Sequence, residues 1–175
     1  MHTARLFITG TSGTGKSAVV RALNGRGIPA LDTDDFGRWH HKGTGAPAAS
    51  YPGSEDPWDE KTQWHRTHHW LLDADRLRKT LAEDRIRAVA GLAANQNEFA
   101  DLFTTTLLLR CPEETFVRRI LQRTDSAYGK DAAERRQILS LYKGIEADTL
   151  AQGAVPVDAD RPLEQVVADI LSHMA

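Results

Sequence analysis

Three features are scarce in this 175-residue sequence, and each scarcity argues against a class of protein. Its single cysteine, Cys111, cannot form an internal disulfide, so we expect a reducing compartment and a buried thiol rather than a reactive one. No apolar stretch approaches the roughly 20 residues that a membrane helix needs, and no long apolar segment of a signal peptide follows the N-terminus. We therefore predict a cytoplasmic protein without membrane contacts.

An excess of charge of one sign is also lacking. The chain has 22 Lys and Arg residues against 24 Asp and Glu residues, for a formal net charge of -2. Such a balance gives no long-range attraction for nucleic acid or anionic membranes. Hydrophobic residues make up 41% of the chain, and its length fits one domain, residues 1–175. We expect no nucleic-acid partner, and either a monomer or a homodimer.

Short apolar strands alternate with helical patterns along the chain. The predicted strands are residues 5–9, 28–31, 86–90, 105–110 and 155–157. The predicted helices are residues 17–24, 58–82, 95–102, 113–123, 132–150 and 163–173. This alternation predicts an α/β fold: a doubly wound, five-stranded parallel sheet with helices on both faces.

The segment between the first strand and the first helix matches the pattern G-x-x-x-x-G-K-[ST] in full. Its glycines let backbone N–H groups turn inward around phosphate oxygens at a helix N-terminus. Lys16 is expected to reach the β- and γ-phosphates, and the Ser17 hydroxyl to bind Mg²⁺. A Gly-rich turn with an exposed lysine is the alternative. We predict that ATP with Mg²⁺ is bound by this phosphate loop, Gly10, Thr11, Ser12, Gly13, Thr14, Gly15, Lys16 and Ser17.

Two aspartates, Asp32 and Asp34, directly follow the second strand. In a doubly wound sheet this places them in the crevice at the carboxyl ends of the strands. One can hold Mg²⁺ through water while the other accepts a proton from a substrate hydroxyl. A helix N-cap formed by Asp34 or Asp35 is the alternative. The third strand contains no acidic residue for a Walker-B role, so Asp32 is the best candidate for the metal.

Four pieces of the sequence together resemble one family. They are the phosphate loop, the Leu-Asp-Thr-Asp of residues 31–34, Arg123 with Lys130, and the Val-Asp-Ala-Asp-Arg-Pro of residues 157–162. On these motifs the chain resembles the nucleoside-monophosphate-kinase group of P-loop folds, and most of all its shikimate-kinase branch. The resemblance implies phosphoryl transfer from ATP.

The resemblance also implies roles for single residues. Asp34 would contact the phosphate-accepting hydroxyl, and Asp32 would support Mg²⁺. Arg123 would pack against the adenine at the root of a lid, residues 123–132, in which Lys130 would close over the phosphates. The loop that would wrap the adenine from the other side includes Asp158, Arg161 and Pro162.

The sequence departs from both acceptor-binding patterns of the group. The glycine run that follows the third strand in shikimate kinases is replaced by residues 91–97, Gly-Leu-Ala-Ala-Asn-Gln-Asn. Residues 145–148 offer no arginine to grip a shikimate carboxylate, and the Asp-Gly-x-Pro-Arg of adenylate-type kinases is missing. The resemblance therefore supports transfer from ATP but carries over neither acceptor.

We expect residues 36–82 to form an acceptor-binding insertion, with a mobile flap at residues 43–57. The aromatic faces of its four tryptophans suit a base or a sugar, and Arg38 or Arg66 suits an anionic or hydroxylated group. Alternatively, the tryptophans are core residues of a long helix. These tryptophans are Trp39, Trp58, Trp64 and Trp70.

Two further features of the acceptor side have alternative explanations. Asn95, at the tip of the third strand, could bind an acceptor or cap a helix. The histidines at 65, 68 and 69 have helical spacing compatible with zinc, although exposed histidines are commoner.

The favoured hypothesis is an ATP-dependent phosphotransferase acting on a hydroxyl of a small molecule, such as a nucleoside or another metabolite. Lys16, Asp34, Arg123 and Lys130 would be its catalytic residues. A nucleoside-monophosphate kinase is the second hypothesis, and it would need Arg38 and Arg66 as a phosphate clamp. A nucleotide-binding regulatory module with little or no turnover is the third.

Overall fold

The structure, a computed structural model, describes residues 4–48, 51, 58–83, 85–124 and 128–174. Its strands are β1 (Leu6–Thr9), β2 (Ala30–Asp32), β3 (Gly37–His41), β4 (His68–Leu72), β5 (Ala88–Ala90), β6 (Thr105–Arg110) and β7 (Val155–Asp158). Its helices are α1 (Lys16–Asn24), α2 (Trp58–Thr67), α3 (Ala74–Leu81), α4 (Glu113–Gln122), α5 (Ala132–Ala151) and α6 (Leu163–Ser172). Two 3-10 turns cover Thr33–Phe36 and Gln96–Leu102.

Five strands form one sheet in the order β2-β5-β1-β6-β7, and every pair in it is parallel. The central strand β1 is buried along its whole length. Its side chains alternate between two cores: Leu6 and Ile8 pack with α1 and α6, whereas Phe7 packs with α3. Helices therefore cover both faces, and the predicted five-stranded parallel sheet is confirmed.

The predicted helix over residues 58–82 is wrong. Helix α2 ends at Thr67, and the next five residues form β4, which pairs antiparallel with β3. This small sheet, β3 with β4, sets Trp39 opposite Trp70 and satisfies the backbone across the pair. Tryptophan and leucine suit a pleated surface, so tertiary pairing overrides a helical spacing. A local signal was present in Asp73, whose carboxylate accepts the Arg76 N–H at 3.0 Å and starts α3.

One close contact orders the small sheet internally, and another links it to the end of β5. The Asn95 amide exchanges two hydrogen bonds with the Leu72 backbone, donating to its carbonyl at 3.1 Å and accepting from its N–H at 3.0 Å. A Cβ on Gly37 would lie 2.2 Å from the Trp70 indole, so the backbone of β3 lies directly against that ring. The small sheet is therefore held at the carboxyl end of β5.

Other expectations can be compared with the described residues. Cys111 is buried, as predicted, and burial raises the pKa of its thiol. None of the helices in the described ranges combines the length and the apolar character needed to cross a membrane. Of the predicted flap, residues 49–50 and 52–57 lie outside the described residues, while Pro47 forms a bridge with His40.

Candidate functional site

The phosphate loop is built from backbone that leaves no room for side chains. Gly10, Gly13 and Gly15 have φ angles of 148, 88 and 104°. A Cβ on Gly10 would lie 2.8 Å from the Leu109 carbonyl oxygen, and one on Gly13 2.8 Å from the Phe116 carbonyl oxygen. No side chain caps α1, which begins at Lys16, so its first N–H groups face the loop without a side-chain acceptor. This arrangement is suited to an anion.

Lys16 lies across the loop, donating from Nζ to the carbonyls of Gly10 at 2.5 Å and Thr11 at 3.0 Å. Burial lowers the pKa of Lys16 to about 8, against the opposing effect of the Asp34 and Asp32 carboxylates. Asp34 and Asp32 thus lie near the Lys16 ammonium, but among the described residues neither forms an ion pair with it. The ammonium therefore remains available to a phosphate. Desolvated cations of this kind gain most when an anion arrives.

Asp32 serves two neighbours with its two carboxylate oxygens. One oxygen accepts the Ser17 hydroxyl at 2.8 Å, and the other accepts the Asp34 backbone N–H at 3.2 Å. Asp32, rather than Asp34 or Asp35, is therefore the N-cap of the 3-10 turn. Hydroxyl and carboxylate oxygens are the ligands that Mg²⁺ prefers, so Ser17 and Asp32 fit that ion.

The Asp34 side chain is free of the capping role and opens onto the cavity beside Lys16. Desolvation by the surrounding protein, followed by the Asp32 carboxylate, raises the pKa of Asp34 above the ordinary value for aspartate. Among the described residues no hydrogen bond or ion pair engages this carboxylate, and a carboxylate with a raised pKa in such a position is suited to accept a proton.

A cavity of about 850 Å³ connects the phosphate loop with the small sheet. This volume lies within the range of small-molecule sites, roughly 300–1,000 Å³. We call its two ends the phosphate end and the aromatic end. The phosphate end is lined by residues 12–17 with Arg119, Arg123, Ala159 and Arg161. The aromatic end is lined by Asp34, Trp39, Tyr51, Trp70, Leu92 and Tyr128.

Two arginines of α4 and its C-terminus point to the phosphate end. Arg123 donates to the Ser12 hydroxyl at 3.2 Å and to the Tyr128 carbonyl. Arg119 donates to the Ala159 carbonyl at 2.8 Å and to the Thr14 carbonyl at 3.4 Å. Arg119, which was not among the predicted site residues, thus lies beside the 158–162 loop. Its i, i+4 spacing from Arg123 was the available signal.

Several predicted site residues do not line the cavity. Lys130 is exposed at the edge of the predicted lid, whose residues 125–127 lie outside the described residues. Arg38 and Arg66 are exposed as well, and the Asn95 amide is taken up by Leu72. The remaining predicted residues outside the cavity lining are Gly10, Thr11, Asp158 and Pro162.

The tryptophans divide between the cavity and the protein interior. Trp39 and Trp70 line the cavity, with ring centroids 5.7 Å apart, whereas Trp64 stacks on His68 at 3.9 Å outside it. The Trp58 side chain lies outside the described residues. In the described part of the chain no three metal-binding side chains cluster, and His65 instead bonds the Tyr51 hydroxyl at 3.1 Å.

A buried ion pair supports the aromatic end from behind. Lys61 Nζ lies 3.4 Å from Glu134 Oε1, and the two residues are 3% and 4% exposed. Glu134 also accepts the Tyr51 hydroxyl at 3.3 Å and the Gly129 backbone N–H at 2.8 Å. This Lys61–Glu134 pair therefore joins α2 to α5 and orients Tyr51. No local pattern predicts this pair, because its partners lie far apart in the chain.

A phosphate loop between the central strand of a parallel sheet and its following helix defines a P-loop NTPase fold. The chain belongs to the family described as AAA domain, whose model matches residues 6–140. No curated protein matches the sequence.

Solved structures with the same fold include three whose names are those of kinases. A gluconokinase from Sinorhizobium meliloti 1021 is 19% identical, with a TM-score of 0.53 over 99% of this chain and 92% of that one. A sugar kinase from Janibacter sp. HTCC2649 is 17% identical, with a TM-score of 0.54 over 97% and 93%. A deoxyadenosine kinase from M. mycoides, solved with dATP, is 14% identical, with a TM-score of 0.55 over 96% and 97%. At these identities the likeness establishes the fold.

Proposed function

We propose that the protein is an ATP-dependent phosphotransferase that moves the γ-phosphoryl group to a hydroxyl of a small molecule. One observation carries this proposal: the phosphate loop and the uncommitted Asp34 carboxylate open onto the same cavity. Phosphoryl transfer needs positioning and positive charge next to a group that can take the proton of the nucleophile. The names of the three kinase structures agree with such a reaction.

The residues of the phosphate end would bind and neutralise the triphosphate. The loop amides and Lys16 would hold its phosphates, and Arg123 would add positive charge from the side of Ser12. Ser17 and Asp32 would hold Mg²⁺, which when bound neutralises charge on the phosphate oxygens. Arg119 would lie beside the base, together with the loop that contains Ala159.

Asp34 would serve the acceptor. As the acceptor oxygen forms its bond to the γ-phosphorus, the bond from that phosphorus to the β–γ bridging oxygen breaks and ADP leaves with the electron pair. The hydroxyl proton passes to Asp34. Residues 36–82 would form the acceptor-binding insertion of a single domain, and residues 123–132 the lid, from which Lys130 would approach the phosphates.

Replacing Asp34 by Asn tests the proposal, with Asp35→Asn as a matched control. Asp35 is an exposed neighbour on the same turn and does not line the cavity. We expect Asp34→Asn to lower acceptor-dependent ADP release about 10²–10⁴-fold with little change in ATP affinity, and Asp35→Asn to behave like the wild type. Full turnover in Asp34→Asn would refute the assignment of the base.

The other two hypotheses make different predictions in the same assay. Transfer to a phosphate needs a cationic clamp, and neither Arg38 nor Arg66 lines the cavity. A regulatory module would bind ATP but release no additional ADP with any hydroxylated metabolite, nucleoside or monophosphate. That flat result across a broad panel would replace the phosphotransferase proposal.

A further inference from the structure

We propose that the acceptor is an uncharged hydroxylated compound with a flat ring, of the chemical class of nucleosides, and that Trp39 and Tyr51 select it. This inference rests on the function proposed above, because it assigns a substrate class to the same cavity. Three properties of the aromatic end support the inference: its charge, the geometry of its rings, and the ion pair that orients Tyr51.

No cation lines the aromatic end among the described residues. The cations that line the cavity come from elements around the phosphate end. They are Lys16 of the phosphate loop, Arg21 of α1, Arg119 of α4, Arg123 at the end of α4, and Arg161 in the loop before α6. Residues 49–50, 52–57 and 125–127 contain no Lys, Arg or His, so they cannot supply a cation either. A carboxylate or phosphate bound here would have no ion-pair partner and would lie near Asp34.

Two basic side chains behind this end, Lys61 and His65, already have partners. Lys61 is buried against Glu134, which leaves it paired. Burial lowers the pKa of His65, whose ring bonds the Tyr51 hydroxyl. These two side chains therefore add no free positive charge at the aromatic end, and an anionic acceptor is disfavoured there relative to its neutral counterpart.

The lining is aromatic in a way that suits a planar ligand. Tyr51 stacks on Trp39 with centroids 5.6 Å apart and an interplanar angle of 25°, and Trp70 meets Trp39 at 73°. Tyr128 meets Tyr51 at 83°. Because these rings face two directions, one ring can stack on the face of a planar ligand while another contacts the edge of that ligand. Asp34, the one acid that we assign to this end among the described lining residues, remains for the hydroxyl.

The Lys61–Glu134 pair supports this surface through Tyr51. Glu134 accepts the Tyr51 hydroxyl, so Tyr51 is held in its stacked position against Trp39. A preorganised aromatic surface loses less conformational entropy on binding than a flexible one. Lys61 and Glu134 are therefore positioning residues that act through Tyr51.

Matched pairs of acceptors test the inference in the full-length protein. The neutral members are adenosine, cytidine, thymidine and glucose, and the anionic members are the three 5′-monophosphates and gluconate. We measure acceptor-stimulated ADP release and, independently, binding by quenching of tryptophan fluorescence. Because a 5′-monophosphate lacks the free 5′-hydroxyl, each nucleoside is compared with its monophosphate by binding. At least one nucleoside is expected to bind tenfold or more tightly than its monophosphate, and to exceed glucose in kcat/KM.

Variants identify the residues that select the ring. Trp39→Ala should raise KM for the nucleoside roughly 5- to 100-fold with a smaller change in kcat, since stacking contributes to binding. Trp39→Phe keeps an aromatic face and should stay within about tenfold of wild type. Tyr142→Phe alters a ring that lies outside the cavity and has its ring contact with Phe116. It is the control and should leave KM unchanged.

The outcomes separate this inference from the proposed function. A preference for gluconate or a monophosphate that depends on Asp34 would overturn the inference and leave the phosphotransferase intact. Equal use of glucose and nucleosides would overturn the requirement for a flat ring. If no compound stimulates ADP release or quenches fluorescence although ATP binds, both the proposed function and the inference fail.

Discussion

The two ends of the cavity are built by different means. The phosphate end is built on the consecutive residues 12–17 of the phosphate loop. The Leu109 and Phe116 carbonyls leave no room for a Cβ on Gly10 and Gly13 of that loop. The aromatic end is made by side chains from separate segments, brought together by the small sheet and by the Lys61–Glu134 pair. A local backbone motif binds what all nucleotides share, whereas an assembled side-chain surface can differ from one relative to the next.

The two ends also differ in charge. Lys16, Arg119 and Arg123 make the phosphate end cationic, while the aromatic end presents rings and Asp34. Variants that change one end and spare the other test whether this division is real.

The largest expected effect comes from breaking the buried ion pair. Lys61→Met leaves the Glu134 carboxylate buried without its cation and should lower the free energy of unfolding by about 3–5 kcal/mol. Denaturant titration measures this loss. The double variant Lys61→Met with Glu134→Gln removes the stranded charge and should recover part of it. A change below about 1 kcal/mol in the single variant would contradict the role of the pair.

At the phosphate end the expected loss is catalytic. Lys16→Ala removes the cation that lies across the loop and should lower kcat about 10²–10³-fold, while nucleoside binding measured by fluorescence is unchanged. Lys143→Ala, on an exposed position of α5, is the control. An equal loss of nucleoside binding in Lys16→Ala would show that the two ends are not separate.

A smaller effect is expected inside the small sheet, where Gly37 of β3 packs against the Trp70 ring of β4. Gly37→Ala places a Cβ 2.2 Å from the indole, so the ring or the strand must move, at a cost of about 1–3 kcal/mol of stability. The acceptor KM should rise, with ATP affinity retained. Gly144→Ala is the matched control: no atom lies within 4 Å of the new Cβ in α5, and stability should rise by up to about 1 kcal/mol. Equal melting temperatures for both variants would contradict the close packing.

The smallest effect is a pH dependence of stability. The folded protein raises the pKa of Asp34, so ionising this carboxyl group opposes folding. The loss of stability begins as pH rises through the pKa of an unperturbed aspartate, about 3.9, and it persists at neutral pH. Asp34→Asn without ligand should therefore melt at a higher temperature than wild type at pH 7, with the difference vanishing below about pH 4. Asp35→Asn serves as the control. A lower melting temperature of Asp34→Asn at pH 7 would contradict this account.

Sequence patterns predicted the parts of the protein that depend on neighbours in the chain. The five strands of the main sheet and the phosphate loop follow from apolar runs and from glycine spacing. The position of Asp32 next to Ser17 follows from strand order, since the carboxyl ends of parallel strands share one edge.

The remaining features depend on contacts between distant residues. Trp70 and Leu71 fit a helical spacing in the sequence, but in the structure they belong to β4, which pairs with β3. The local pattern does not show that this partner strand is present. From its position after the third strand, Asn95 was predicted to bind an acceptor or to cap a helix. In the structure its side-chain amide forms hydrogen bonds with the Leu72 backbone. For Arg119 and Arg123, sequence showed two arginines one turn apart, and packing decided which reaches Ala159 and which reaches Ser12.

The Lys61–Glu134 pair has a kinetic consequence. It fastens α2, beside the small sheet, to α5, which directly follows the predicted lid, and Glu134 also bonds Gly129 within that lid. Segments fastened in this way cannot open one after the other without separating a buried ion pair. Under the proposed function, we expect ADP and the phosphorylated product to depart through one shared motion, so that the order of product release changes when the pair is removed.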